Sequence, residues 1–291
     1  MRMRRTVVAA VSVAAAAALS APALASADGR DGHDMNHRGH KALTAVGLTA
    51  DQRLVEFTVD RPARTTDIGR VSGLRGDTNL VGIDFRVQDE KLYGVGDKGG
   101  VYTLSTAGAR ATKVSQLTVA LAGRQFGVDF NPAANRLRVI SNTGQNLRHN
   151  IDDSAAPLGT TTDGTLTNPT TPPTTATGVT GAAYTNNDLN AATSTTLFDI
   201  DTMADRVSLQ SPANAGTLAP TGNLGVNAGP DAGFDIYFSP KHGTNRGFAT
   251  LNTAGTARLY EVDVLTGAAR DLGAFSQRRQ VTDLALPLEQ G

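Results

Sequence analysis

The sequence predicts an all-β chain closed into a five-bladed β-propeller, its last blade assembled from strands at both termini. Three observations carry this. First, LVGIDFRVQDEKLYGVG at 80–96 and FGVDFNPAANRLRVIS at 126–141 state one pattern twice: Gly, a β-branched residue, Asp and Phe, then a second run opening on Lys-Leu or Arg-Leu. Second, Gly82 and Gly127 are 45 residues apart, and the equivalent glycines at 181 and 233 follow at 54 and 52; such a period marks a stacked supersecondary unit. Third, the chain ends on a strand with nothing after it and begins with a blade lacking its first strand. Each alone leaves an open edge, and together they make one blade.

Composition agrees. Thirty-one glycines, abundant Thr and 5% aromatic residues suit many short strands joined by tight turns. There is no cysteine, which excludes disulfides and thiolate metal sites. The 27 basic residues match the 27 acidic ones, and three of the basic ones, Arg2, Arg4 and Arg5, lie in the N-terminal segment. Nothing in this balance favours nucleic acid or an anionic membrane as partner.

Residues 1–27 read as a signal peptide. A basic start is followed by the apolar run Thr6 to Leu19 and by two overlapping small-x-small cleavage sites, Ala23-Leu24-Ala25 and Ala25-Ser26-Ala27. The run is shorter than the roughly 20 residues of a membrane span, and no second span follows. Arg4-Arg5 lacks the rest of a twin-arginine motif. A secreted protein, extracellular or periplasmic, and monomeric, is expected. Residues 28–41 are polar, Gly-containing and aperiodic, a disordered linker. They hold His33, His37 and His40, a tract able to bind Cu, Ni or Zn only if it becomes ordered.

The propeller domain spans 42–291. Two runs around Ala50-Asp51-Gln52 form a hairpin, and Thr66 to Leu74 supplies a third strand. The first full repeat has strands at 81–86, 91–95, 101–105 and 111–117. The second has strands at 127–130, 136–141 and 147–150, with a weakly marked fourth near 160–167. The Pro/Thr-rich NPTTPPTTATG that follows is no central strand and reads as an exposed loop. The third repeat runs from Val179 to Leu224, with Ala183 where the earlier copies have Asp. The fourth, Ala232 to Phe275, is the cleanest. Val281 to Leu286 is the orphan opening strand, with Ala285 at the Asp position. An open sandwich leaves the two terminal fragments unexplained, and a sixth blade has no sequence to form it.

The segments AVGLTADQRLVEF, LVGIDFR with KLYGVG, FGVDFNPAANRLRVISNTGQNLRHN, GAAYTNN and TDLALP resemble a secreted bacterial family, the domain of unknown function 4394. The resemblance covers Ala42 to Pro287 and is most specific in NPAANRLRVISNTGQNLR. It implies an exported, propeller-like domain and brings no catalytic residues. The His-rich tail is not part of that pattern.

Two groups of residues are candidate sites. Asp84, Asp129 and Asp235 hold one position in three opening strands, and innermost strands line a propeller's channel. Three converging carboxylates suit a hard cation such as Ca²⁺. The competing reading is structural: each Asp accepts backbone N–H bonds within its own blade. The second group, a candidate ligand site for a glycan or protein, is Asn131, Asn142, Gln145, Asn146 and Arg148, joined by Tyr184 and Asn186. Its competing reading is turn chemistry, although Arg136, Arg138 and Arg148 bring more charge than turns require. His149 and His242 are isolated and expected at the surface. No Gly-x-Ser-x-Gly, P-loop or His-Glu-x-x-His motif is present. The leading expectation is a binding or interaction module. The alternative is a calcium-assisted hydrolase or lyase acting on a glycan or lactone, since propellers host both.

Overall fold

The computed structural model describes residues 42–190 and 192–290, and these fall in one compact unit. The signal-peptide and His-rich-linker readings of 1–27 and 28–41 lie outside the described residues. No helix among the described residues is long and apolar enough to cross a membrane.

Five antiparallel four-stranded sheets follow one another along the chain. The closing blade pairs β1 (Thr44–Thr49), β2 (Arg53–Thr58) and β3 (Thr66–Arg70) with the C-terminal β22 (Val281–Ala285). Leu48 lies opposite Asp283 and Val46 opposite Ala285, so the two ends of the chain are stitched by main-chain bonds. The first repeat is β4 (Leu80–Arg86), β5 (Lys91–Gly96), β6 (Gly100–Leu104) and β7 (Ala111–Gln116). The second is β8 (Phe126–Asn131), β9 (Arg136–Ser141), β10 (Asn146–Asn150) and β11 (Gly159–Thr162). Two short strands, β12 (Thr167–Asn168) and β13 (Thr174–Thr175), come next. The third repeat is β14 (Val179–Tyr184), β15 (Leu197–Asp201), β16 (Arg206–Gln210) and β17 (Leu218–Asn223). The fourth is β18 (Ala232–Ser239), β19 (Thr244–Thr253), β20 (Thr256–Val262) and β21 (Ala269–Ala274).

The innermost strands β22, β4, β8, β14 and β18 form a closed ring in that order, each packed on the next. Closure in space removes the exposed edge that an open array would present. The repeated glycine explains how the centre fits. A Cβ on Gly127 would stand 2.7 Å from the backbone nitrogen of Ala182 in the next blade, and one on Gly82 would stand 2.5 Å from a Val128 methyl. Side chains alternate along a strand, so the Asp two residues on shares the glycine's face and points at the same neighbour. The residue between them points the other way. Ile83 accordingly enters the apolar layer that Val46, Leu48 and Leu54 share with Leu80 and Leu92, between the closing blade and the first repeat.

Each junction has its own apolar layer of this kind. At the closing blade the rings of Phe57 and Phe275 meet edge to face, 5.0 Å apart. Full burial of such side chains stabilises by roughly 1.5–3 kcal/mol each.

Two expectations need correction. The Pro/Thr-rich stretch is exposed, but it carries the β12–β13 hairpin. Its entry crosses to the third repeat, where Gly164 N–H donates to Asn214 O and Thr167 N–H to Gly216 O. His149 is buried, not superficial: its ring bonds Ser115 Oγ at 2.8 Å and Thr160 Oγ1 at 3.0 Å, and burial lowers its pKa.

Candidate functional site

The channel acids bridge blades. Asp84 Oδ1 accepts from its own neighbour Phe85 N–H at 2.7 Å, while Oδ2 accepts from Phe130 N–H of the next blade at 2.8 Å. Asp235 repeats the arrangement with Ile236 N–H at 2.5 Å and Leu286 N–H at 2.6 Å. Asp129 accepts from Tyr184 N–H of its next blade at 3.3 Å, and its Oδ2 has no partner. The cause is local: the Phe130 N–H that Asp129 would otherwise take already donates to Asp84. The expectation that each Asp serves its own blade is therefore half of the arrangement: Asp84 and Asp235 bond their own blade and the next, and Asp129 bonds the next alone.

These clasps converge. Asp84, Asp129 and Asp235 are 3%, 1% and 2% exposed, and each places a carboxylate oxygen within 4.8 Å of the other two. Burial pushes the Asp84 and Asp129 carboxyls well above the usual carboxylate range, and the charge of neighbouring aspartates adds to it. Burial pushes Asp235 up to about 6.

A fourth acid belongs to the ring and was not singled out from the sequence. Asp283 occupies the glycine position of the closing strand. A Cβ on Gly233 would stand 2.4 Å from Asp283 Cα, and one on Gly82 would stand 3.2 Å from Asp283 Oδ2. Glycines on both flanking strands thus make room for its side chain, which accepts from Ile83 N–H at 2.8 Å and Leu284 N–H at 2.9 Å. Burial raises its pKa too. The signal was present in Val-Thr-Asp-Leu-Ala, where Asp falls where the other copies have Gly.

Four junctions are thus clasped by carboxylates. The junction between the third and fourth repeats, where Ala183 stands, is closed by amides instead. Asn186 N–H donates to Asn245 Oδ1 at 2.9 Å, Asn245 Nδ2 donates to Asn186 Oδ1 at 2.7 Å, and Asn187 Nδ2 donates to Ile236 O at 3.1 Å. Beside these amides opens a groove of about 880 Å³. Phe198, Ile236, Val262 and Val264 form its apolar lining, and Leu265 stands at its lip, 73% exposed. Its rim carries Glu261 between Arg246, at 2.8 Å, and Arg270. Burial would raise the Glu261 carboxyl, but the two guanidinium partners outweigh it and hold it below its ordinary value.

The seven residues of the proposed ligand group do not meet. Asn131 and Asn186 lie at the turn between first and second strands, Asn142 and Gln145 at the turn between second and third, hence at opposite ends of their sheets. Asn131 Oδ1 caps its own turn at Ala134 N–H. Asn142 and Gln145 pin the 120–125 connection through Arg124 N–H and Ala122 N–H. Asn146, Arg148 and Tyr184 gather around Arg138, which donates to Asn146 Oδ1, Asp163 Oδ2 and Tyr184 Oη, while Arg148 also reaches Asp163. The excess charge noted in this repeat is thereby paired, Arg136 with Asp153 included. Asn186 is the member that borders the groove.

The family model described as "Domain of unknown function (DUF4394)" matches residues 53–285. A comparison with curated proteins finds no match. Among solved structures, the chain is similar to a protein from Lactobacillus plantarum at 20% identity and a TM-score of 0.41, covering 80% of this chain and 67% of that one. It is also similar to a structural-genomics protein of unknown function from Bacteroides thetaiotaomicron at 14% identity and a TM-score of 0.46, covering 90% and 68%.

Proposed function

Because the chain belongs to the DUF4394 family, domains of unknown function, we propose its role from the site: it is an exported binding module that takes a short peptide into the groove between the third and fourth repeats. One observation carries this. The blade junction that lacks a carboxylate clasp is also the one that opens a cavity of about 880 Å³, within the usual range of ligand sites. The occupant follows from the lining. Sugars favour exposed aromatic faces, and the aromatic side chain here, Phe198, is buried. A half-buried Val264 and an exposed Leu265, with an amide pair and an Arg–Glu–Arg rim, fit a peptide with an aliphatic side chain and polar or charged neighbours. Export is supported by the basic start, apolar run and small-residue cleavage sites of residues 1–27. The hydrolase or lyase alternative would need substrate to reach acids that are at most 3% exposed.

The test is a random-peptide display selection run beside a glycan array. Peptides with an aliphatic anchor should be enriched, and Leu265→Asp should weaken their binding at least tenfold while leaving the melting temperature unchanged. Glycan hits alone, or peptide binding indifferent to Leu265→Asp, would sink the reading.

A further inference from the structure

The channel acids are a site distinct from the groove. We infer that Asp84, Asp129 and Asp235 together hold one calcium ion at the centre of the ring, each giving one carboxylate oxygen.

Geometry is the first support. Calcium takes oxygen ligands at about 2.3–2.6 Å, so two ligand oxygens on opposite sides of one ion lie roughly 4.6–5.2 Å apart. Three carboxylate oxygens all within 4.8 Å of one another stay inside that limit. Main-chain bonds hold the carboxylates in place before any ion arrives: Phe85 and Phe130 for Asp84, Ile236 and Leu286 for Asp235, Tyr184 for Asp129. Pre-positioned ligands lower the ordering cost of binding.

The second support is the hydrogen bonding of one member of the cluster. Asp129 is 1% exposed and its Oδ2 has no hydrogen-bond partner, because the adjacent Phe130 N–H is committed to Asp84. A buried polar atom left unpaired is costly, and this one belongs to a side chain of the cluster itself.

Charge is the third. Among the described residues, the hydrogen bonds to Asp84, Asp129, Asp235 and Asp283 come from backbone N–H groups, with no Lys or Arg among the donors. Arg138, paired with Asp129 across the sheet, sends its guanidinium to Asn146, Asp163 and Asn214 instead. Buried carboxylates in mutual proximity either keep their protons or take a counter-charge, and a bound cation supplies the second. An all-oxygen, all-carboxylate set suits a hard dication over a transition metal. Calcium is favoured over magnesium because magnesium demands near-octahedral geometry at shorter distances, and here the backbone dictates the ligand positions.

The experiment is titration calorimetry of the full chain with CaCl₂ after EDTA treatment, with melting followed in parallel. One ion per chain should bind, the melting temperature should rise by several degrees at saturation, and Asp129→Asn should weaken binding at least tenfold. That variant keeps an oxygen acceptor for Tyr184 N–H, so its melting temperature in EDTA should stay near that of the parent. Asp199→Asn, removing another buried carboxylate, should leave calcium affinity unchanged. Absence of binding heat, or equal affinity in Asp129→Asn, would overturn the assignment. Should Asp129→Asn fail to fold, crystals of the parent grown in CaCl₂ decide: an anomalous peak between the three carboxylates supports the site, and its absence at saturating calcium refutes it.

Discussion

The junction between the first and second repeats and the junction between the third and fourth are built from equivalent strands and closed by different chemistry. In the first, Asp84 reaches over to Phe130 N–H and the strands meet without a gap. In the other, Ala183 leaves nothing to reach with, amides on the turns do the closing, and a groove opens beside them. The difference shows that a clasp needs two parties. At the unclasped junction the equivalent donor, Ile236 N–H, is held by Asp235, so a carboxylate at 183 would have to compete for it. The same competition, one step round the ring, leaves Asp129 with an unpaired oxygen.

Four substitutions break or sharpen this comparison. Asp84→Ala should do most damage, because it strands the buried Phe85 N–H and removes the bond from the first repeat to Phe130 N–H of the second. A loss of roughly 3–5 kcal/mol is expected by denaturant titration. Ala183→Asp, which restores the sequence pattern at the unclasped junction, should destabilise by about 2–4 kcal/mol, since it sets two buried carboxylates competing for the one Ile236 N–H. A gain would mean that the clasp is limited by the acid alone.

Asp199 tests burial without clasping. Both of its oxygens lack partners and burial raises its pKa well above the usual carboxylate range. The folded state therefore binds a proton more tightly than the unfolded one. The resulting stability is fully present below the unfolded carboxylate value near pH 4 and is lost as pH rises through the folded pKa. In EDTA the chain should melt higher at pH 5 than at pH 8, and Asp199→Asn should reduce that slope by its own share and gain on the order of 1–2 kcal/mol at pH 8. A gain of 1 kcal/mol corresponds to roughly 2–4 °C in a chain of this size. An unchanged pH profile would place the titrating groups elsewhere. Asn186→Ala should cost least, about 0.5–1.5 kcal/mol, and should loosen the fourth repeat locally, read as faster amide exchange near Asn245.

Much of the architecture was legible before any coordinates. Strand limits in the first repeat agree within one residue, because tight turns such as Gln88-Asp89-Glu90 punctuate alternating runs. The composite blade followed from two incomplete fragments. The weakly marked fourth strand of the second repeat proved shorter, Gly159–Thr162, where Thr-rich sequence carries no hydrophobic alternation. The candidate ligand residues were the least legible. Amides that cap turns and amides that border a groove look alike in sequence, so Asn142 and Asn186 could be sorted only by what each one touches.

Blade number, the Gly-x-Asp face and the pairing of the two termini are properties of local alternation and repeat spacing, and a sequence carries those directly. Which N–H each carboxylate captures, that Asp283 joins the ring from a glycine position, and that one junction stays unclasped are different in kind. They depend on the register between innermost strands some 45 to 54 residues apart, and on several acceptors competing for one donor. That competition exists only once the ring has closed.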